Sequence, residues 1–184
     1  MGGTLTDQSA SSINIKLVDA IDNVPVNQDE AYRLTITPKA ITVEAVAERG
    51  VYWAMQTLYQ LKEEKGKKIR LQCGTITDWP AFRIRGFMQD VGRSYLSLEE
   101  LKREIAILSR FKINTFHWHL TENQAWRLES KIFPMLNDSA NMTRMAGKYY
   151  TLEEARELTK FCKAHQVLLI PEIDMPGHSA AFIR

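Results

Sequence analysis

The sequence predicts an α/β protein, in which a small N-terminal α+β domain is followed by a truncated (β/α)8 TIM barrel with about three strands. Two observations carry the barrel. Three apolar runs, RGFMQDVGR from Arg85, FHWHLTENQAWR from Phe116 and LLIPEIDMPGH from Leu168, each lead into Arg, Asp, Glu or His, which is how such a barrel assembles a site from the carboxyl ends of its strands. Amphipathic helical patterns separate the runs, so the strands are expected to be parallel and joined by crossover helices. A third observation sets the truncation: a whole barrel has eight strands and typically needs about 250 residues, whereas the chain has 184.

Taken in order, INIKLVDAI from Ile13 and AYRLTIT from Ala31 are β-branched and alternating, and Pro38-Lys39-Ala40 turns the chain into ITVEAV, giving a hairpin. Between 47 and 64 the period becomes helical, with Val51, Ala54, Met55, Leu58 and Leu61 on one stripe. Gly66 is placed as the helix stop, and the charged run 62–68 as its solvated end. IRLQCGTITDW from Ile69 is a further strand leading to Pro80, whose preceding residue is pushed towards extended structure. The domains are therefore set at 1–80 and 81–184.

Beyond the boundary, RIRGFMQDV is the first barrel strand. Ser97 with Glu100 forms a capping box for a helix over 97–111, with Leu101, Ile105, Leu108 and Phe111 as its buried stripe. NTFHWHL is the second strand. The segment 121–150 is too long for an idle connection and reads as a functional loop. Thr151 with Glu154 caps a helix running to about His165, and VLLIPEI is the third strand. In such a piece the segment 113–120 should lie centrally and stay covered, with 83–90 and 167–173 as exposed edges. Unpaired edges are templates for association, so the isolated chain is expected to self-associate unless its helices and N-terminal domain shield one face.

Composition excludes some classes. With 45% hydrophobic and 25% charged residues and a net charge of +2, the chain is ordinarily globular, and no basic stripe with interleaved aromatics points to nucleic acid. No apolar stretch approaches the roughly 20 residues that span a bilayer, so no membrane is expected as a partner. No signal peptide is visible at the N-terminus. Gly2 with Thr6 has the myristoylation spacing, although a cloning remnant accounts for residues 1–3 as well and is the preferred reading. Cys73 and Cys162 lack metal-ligand spacing and read as buried or unpaired thiols.

The candidate chemistry sits at the three strand ends. His117 and His119 point to the same face of a strand, since side chains repeat with period two. They fit a zinc or iron site completed by Glu172, Asp174 or His178; alternatively, Phe116, Trp118 and Leu120 face the helices and the imidazoles hydrogen-bond polar neighbours inside the barrel. Arg93 offers a fork of donors to vicinal sugar hydroxyls or a carboxylate, or else pairs with Asp90. The third run places Glu172, Asp174 and His178 within a few residues, held by Pro171, Pro176 and Gly177.

RGFMQDVGR, KINTFHWHLTENQAWR and IPEIDMPGH resemble, in order and spacing, the β-N-acetylhexosaminidases of glycoside hydrolase family 20. AYRLTIT, ITVEAVAERGVYWAMQTLYQL and TITDWPAFRIRG are similar to that family's N-terminal domain and its junction to the barrel, so nearly the whole chain from Ile13 is covered. The resemblance implies a retaining hydrolysis in which the substrate's own 2-acetamido oxygen attacks the anomeric carbon, an exception to the two-carboxylate scheme. It implies terminal N-acetylglucosamine or N-acetylgalactosamine on glycans as substrate, no metal or organic cofactor, and an exported (periplasmic or extracellular) or lysosomal parent.

The family's catalytic Asp-Glu pair lies on its fourth strand, so none is expected in this chain, which should be inactive alone. The residues that carry over are supporting ones. Arg93 matches the Arg that binds the 3- and 4-hydroxyls of the terminal sugar. His178 and Glu122 match a relay that sets the pKa of the general acid, with Asp174 beside it. Two departures stand out: Thr121-Glu122-Asn123 replaces Thr-Asp-Asp or Thr-Asp-Asn, moving the carboxylate by a methylene, and Ser94 follows Arg93 where His is frequent. The rival readings are a metal-dependent barrel hydrolase using His117 and His119, and a non-catalytic carbohydrate-binding module.

Overall fold

A computed structural model describes residues 12–66 and 68–183. The N-terminal expectations for residues 1–6, the remnant and the acylation spacing, lie outside these, as does Lys67 of the charged run. The chain divides into two compact units, 1–83 and 84–184.

The first unit is a mixed sheet under one helix. β1 (Ile13–Leu17), β2 (Tyr32–Ile36) and β3 (Ile41–Ala45) precede α1 (Glu48–Leu61), and β4 (Glu63–Lys65), β5 (Lys68–Arg70) and β6 (Gly74–Asp78) follow it. The main sheet runs β1-β3-β2-β6. β1 is parallel to β3, whereas β2 is antiparallel to both β3 and β6. Strict alternation puts Tyr32, Leu34, Ile36, Ile41, Val43 and Ala45 on the face that meets Trp53, Ala54 and Leu58 of α1. Gly50 permits that approach, since a Cβ there would stand 2.3 Å from the Ala31 carbonyl oxygen. The indole N–H of Trp53 donates to the buried Glu30 carboxylate at 2.7 Å, satisfying both polar groups.

Three expectations need correction here. The first strand ends at Leu17, short of Ile21. The charged run after α1 is not the helix's solvated end. It forms the β4–β5 hairpin, with Gly66 at φ 63° in the turn. The predicted strand from Ile69 is accordingly two strands, β5 and β6.

The second unit is a parallel sheet with its helices on one face. β7 (Gly86–Asp90), α2 (Leu98–Arg110), β8 (Thr115–His119), the short strands β9 (Thr121–Glu122) and β10 (Ala125–Trp126), α3 (Leu152–Ala164) and β11 (Leu168–Glu172) follow in turn. The sheet order is β11-β8-β7, with both pairings parallel. This is the unclosed, three-stranded part of a TIM barrel, with the second strand central. Both helices begin in the expected capping boxes, Ser97 with Glu100 and Thr151 with Glu154. Leu101, Ile105, Leu158 and Cys162 pack on Phe116, Trp118 and Leu120 to form the core, and burial pushes the Cys162 thiol up to about 12. Phe111 corrects the expected stripe: it follows the last turn of α2 and is 70% exposed.

Candidate active site

Strand register dictates which side chains meet. Met88, His117 and Ile170 are aligned across the sheet, as are Asp90, His119 and Glu172 one step further towards the carboxyl ends. With period two the opposite face takes Phe116, Trp118 and Leu120, each almost fully buried under the helices. The face bearing the imidazoles is therefore the barrel's inner one.

His119 donates from Nδ1 to Glu172 Oε2 at 2.5 Å, and His117 Nε2 lies 2.9 Å from the same oxygen. The His119 hydrogen bond is the chief reason the Glu172 carboxyl titrates below its ordinary range. The His119 ring stands edge-on to that of His178, with centroids 5.9 Å apart.

A second cluster joins the ends of all three strands. Burial alone would raise Glu122, but hydrogen bonds from His178 and from the Asn123 N–H at 3.0 Å outweigh it, and with the Arg93 charge they hold its carboxyl below the usual range. His178 Nδ1 faces both Glu122 oxygens, at 2.9 Å from Oε2. Arg93 donates from Nη2 to Glu122 Oε1 at 2.8 Å and from Nη1 to Asp90 Oδ2 at 2.5 Å. Asp90 also accepts the Arg93 backbone N–H at 3.0 Å. Asp174 Oδ2 is 3.9 Å from His178 Nε2, and its backbone N–H is held by Thr121 Oγ1 at 3.0 Å. The structure thus brings Arg93, Glu122, His178 and Asp174 together, with the longer Glu122 bridging Arg93 and His178.

The structure shows Arg93 paired with two carboxylates, Asp90 and Glu122, while its side chain stays 46% exposed. Its fork is fixed at one edge, leaving further N–H groups of the five for a ligand. For a metal, His119, Glu172 and Asp174 each bring one ligand-type atom within 4.8 Å of the others. The 2.5 Å separation of His119 Nδ1 from Glu172 is a hydrogen-bond length, however, whereas two ligands on a tetrahedral zinc stand roughly 3.3 Å apart. This donor set would have to open to hold an ion.

Two residues escaped the sequence reading. Gly92 lets the β7 end pass against Glu122, since a Cβ there would be 2.7 Å from Glu122 Cβ; a glycine just before Arg93 was the available signal. Arg127 is fully buried and its guanidinium meets main-chain carbonyls, for which no sequence pattern exists.

A parallel βα sheet with carboxylates, imidazoles and a guanidinium gathered at its carboxyl ends is the arrangement from which barrel enzymes build their active sites. Family models agree with that class: the model of the glycosyl hydrolase family 20 catalytic domain matches residues 82–184, and that of the family's domain 2 matches residues 2–79. The chain belongs to glycosyl hydrolase family 20. It is 38% identical over 174 residues to a beta-hexosaminidase of Porphyromonas gingivalis, covering 88% of this chain and 22% of that protein. To one of Vibrio furnissii it is 37% identical, covering 87% and 28%. Among solved structures, the GH20 exo beta-N-acetylglucosaminidase of Vibrio harveyi bound to N-acetylglucosamine superposes with a TM-score of 0.85 at 34% identity, covering 93% of this chain and 28% of that one. The beta-N-acetylhexosaminidase of Bacteroides fragilis gives 0.83 at 34% identity, covering 93% and 35%. The chain thus spans about a quarter of the length of these curated relatives.

Proposed function

We propose that this chain supplies the N-terminal domain and the first wall of an active site that removes terminal N-acetylglucosamine or N-acetylgalactosamine from glycans by substrate-assisted, retaining hydrolysis. The observation that carries the reading is the bridge from Arg93 through Glu122 to His178 across three strand ends. Arg93, anchored on Asp90, presents its remaining donors to the 3- and 4-hydroxyls of the terminal sugar. Glu122 and His178 form a polar relay beside the proton donor, with Asp174 steadying the far ring nitrogen. A general acid works best with its pKa near the operating pH, and an adjacent charged network sets that value. On this reading the acetamido-orienting Asp and the acid come from a further barrel strand, so the chain alone should hydrolyse no aryl N-acetyl-β-glucosaminide above background.

The test is a series of aryl glycosides with a progressively fluorinated 2-acetamido group, assayed on the whole protein. Fluorine withdraws electrons from the attacking oxygen, so the rate should fall steeply along the series. A flat series would overturn substrate assistance.

The metal reading keeps one observation, the proximity of His119, Glu172 and Asp174. It predicts loss of activity on chelation and recovery on adding zinc, whereas the hydrogen-bonded reading predicts indifference to both.

A further inference from the structure

We propose that Arg127 is a positioning residue for the glycan site, acting through the backbone that carries Arg93; the inference rests on the reading of Arg93 as the donor to the sugar hydroxyls. Arg127 has no solvent exposure, and each of its five guanidinium N–H groups has a carbonyl to meet. Nε donates to Val91 O at 3.0 Å. Nη1 donates to Met145 O at 3.1 Å and Lys148 O at 2.7 Å. Nη2 donates to Gly92 O at 3.2 Å and Arg144 O at 2.9 Å. Nη1 also lies 3.7 Å from Met142 Sδ. Burial lowers the pKa of Arg127, but a guanidinium stays protonated in proteins, so this is a buried cation.

A buried cation is costly unless its donors are met, and it usually finds a carboxylate. Arg127 pairs with none among the described residues. What its planar fork accomplishes is to tie two backbone segments together: the turn at 91–92, which delivers Arg93, and the 144–148 part of the long connection. Its own main chain is fixed as well, with its N–H on Leu120 O at 3.0 Å and its carbonyl accepting the Tyr150 N–H at 2.8 Å. The same loop grips the chain just past Arg93, since the Tyr95 N–H points to Met145 Sδ at 3.2 Å. Gly92 meanwhile lies against Glu122 too closely to admit a Cβ. A shift of the 91–92 turn therefore moves Arg93 relative to both Glu122 and the sugar.

Steady-state kinetics of the whole protein on an aryl N-acetyl-β-glucosaminide and its 4-deoxy analogue test this. Arg127→Lys keeps the charge and loses the five-way fork. It should lower kcat/KM on the parent glycoside by about 10- to 100-fold, the scale of an ångström-sized misplacement. The penalty should shrink on the 4-deoxy analogue, and it should nearly vanish when added to Arg93→Ala, as expected of residues acting through one contact. An equal penalty on both substrates, additive with Arg93→Ala, would make Arg127 merely structural and overturn the proposal, as would no penalty. Should Arg127→Lys fail to fold, Gly92→Ala displaces the same turn without altering the buried cation and must show the same substrate selectivity. Arg93→Ala alone separates the underlying reading: if it treats the two substrates alike, Arg93 does not hold the hydroxyl, and both ideas fall for that distinguishable reason.

Discussion

The two units build a sheet of similar size and treat its faces in opposite ways. In the first, β2 and β3 alternate buried and half-buried residues, and the buried set disappears under α1 into a mainly apolar core whose polar contacts include Trp53 to Glu30 and Tyr32 to Thr57. In the second, the helices cover the outer face, and only the central strand β8 is mostly buried, while β7 and β11 remain largely exposed. Its inner face holds Asp90, His117, His119 and Glu172. Apolar burial is non-directional and drives collapse, so the first unit spends its face on stability. The second keeps polar groups partly desolvated and hydrogen-bonded to one another, the setting in which charges are most strongly coupled.

The largest difference should appear in assembly. Met88 is 53% exposed and Ile170 41%, on strands that each pair with β8 alone among the described residues. Open edges and apolar surface favour association, so we expect the isolated chain to self-associate through the second unit. Light scattering across a concentration series checks this, and charged substitutions at Met88 and Ile170 should reduce the mass. A monodisperse monomer at high concentration would show that the second face is as well shielded as the first.

Next comes Arg93, the cation proposed to bind the sugar. In the whole protein Arg93→Ala should lose about 1.5 to 3 kcal/mol of transition-state binding, the value of a charged hydrogen bond. Arg93→Lys should recover little, because one ammonium cannot span Asp90, Glu122 and a ligand. Wild-type kcat/KM for both variants would leave Arg93 as a structural partner of Asp90, and the second unit's inner face as structural as the first unit's core.

Much of this architecture was legible because it rests on local rules. Two capping boxes gave α2 and α3, alternating β-branched runs gave β2 and β3, and apolar runs leading into charged residues gave β8 and β11. The strand ends gave Arg93, Asp174 and His178, and the family resemblance added Glu122; the fold gathers all four. What was not legible depends on partners far along the chain or on competing local signals. A glycine within a charged run fits a helix stop as well as a hairpin turn, and the side chains of 62–68 carry no apolar period to decide between them. Phe111 continued the apolar spacing of α2 but fell past its last turn. Arg127 is satisfied by carbonyls of residues up to 36 positions away, and every residue type has a carbonyl.

Two close-approach glycines sharpen the contrast further. Gly50→Ala in α1 places a methyl 2.3 Å from the Ala31 carbonyl oxygen, and Gly92→Ala places one 2.7 Å from Glu122 Cβ. Each should cost about 1–3 kcal/mol of stability, the usual range for overpacking. Their effects on function should part: Gly50→Ala disturbs the first core alone, whereas Gly92→Ala displaces the turn leading to Arg93. Thermal melts and kcat/KM measured on both variants would show it. Equal losses of activity at matched stability would mean that the site senses stability and not geometry.

The smallest expected effect is acid sensitivity, and its sign follows from the carboxylates. Glu122 and Glu172 titrate below their ordinary value of 4.5, and Asp90 below 3.8. A group whose folded pKa is depressed binds fewer protons folded than unfolded, so its stabilisation is complete above the unfolded pKa and is lost as pH falls through the folded one. For Glu122 the protonated carboxyl of the acid form resembles the amide of Gln. Glu122→Gln should therefore be less stable than wild type near neutral pH, and the gap should close as pH falls below the ordinary carboxylate value of 4.5 and through the lowered folded one. Hydrogen exchange at the Leu120 amide, which bonds the Glu172 carbonyl at 3.1 Å beside the cluster, reports the opening locally. Glu122→Asp should keep the pH dependence but loosen the link to Arg93, since the shorter side chain has to reach both Arg93 and His178. A gap between wild type and Glu122→Gln that stays constant across this range would mean that the bridge holds geometry without contributing charge.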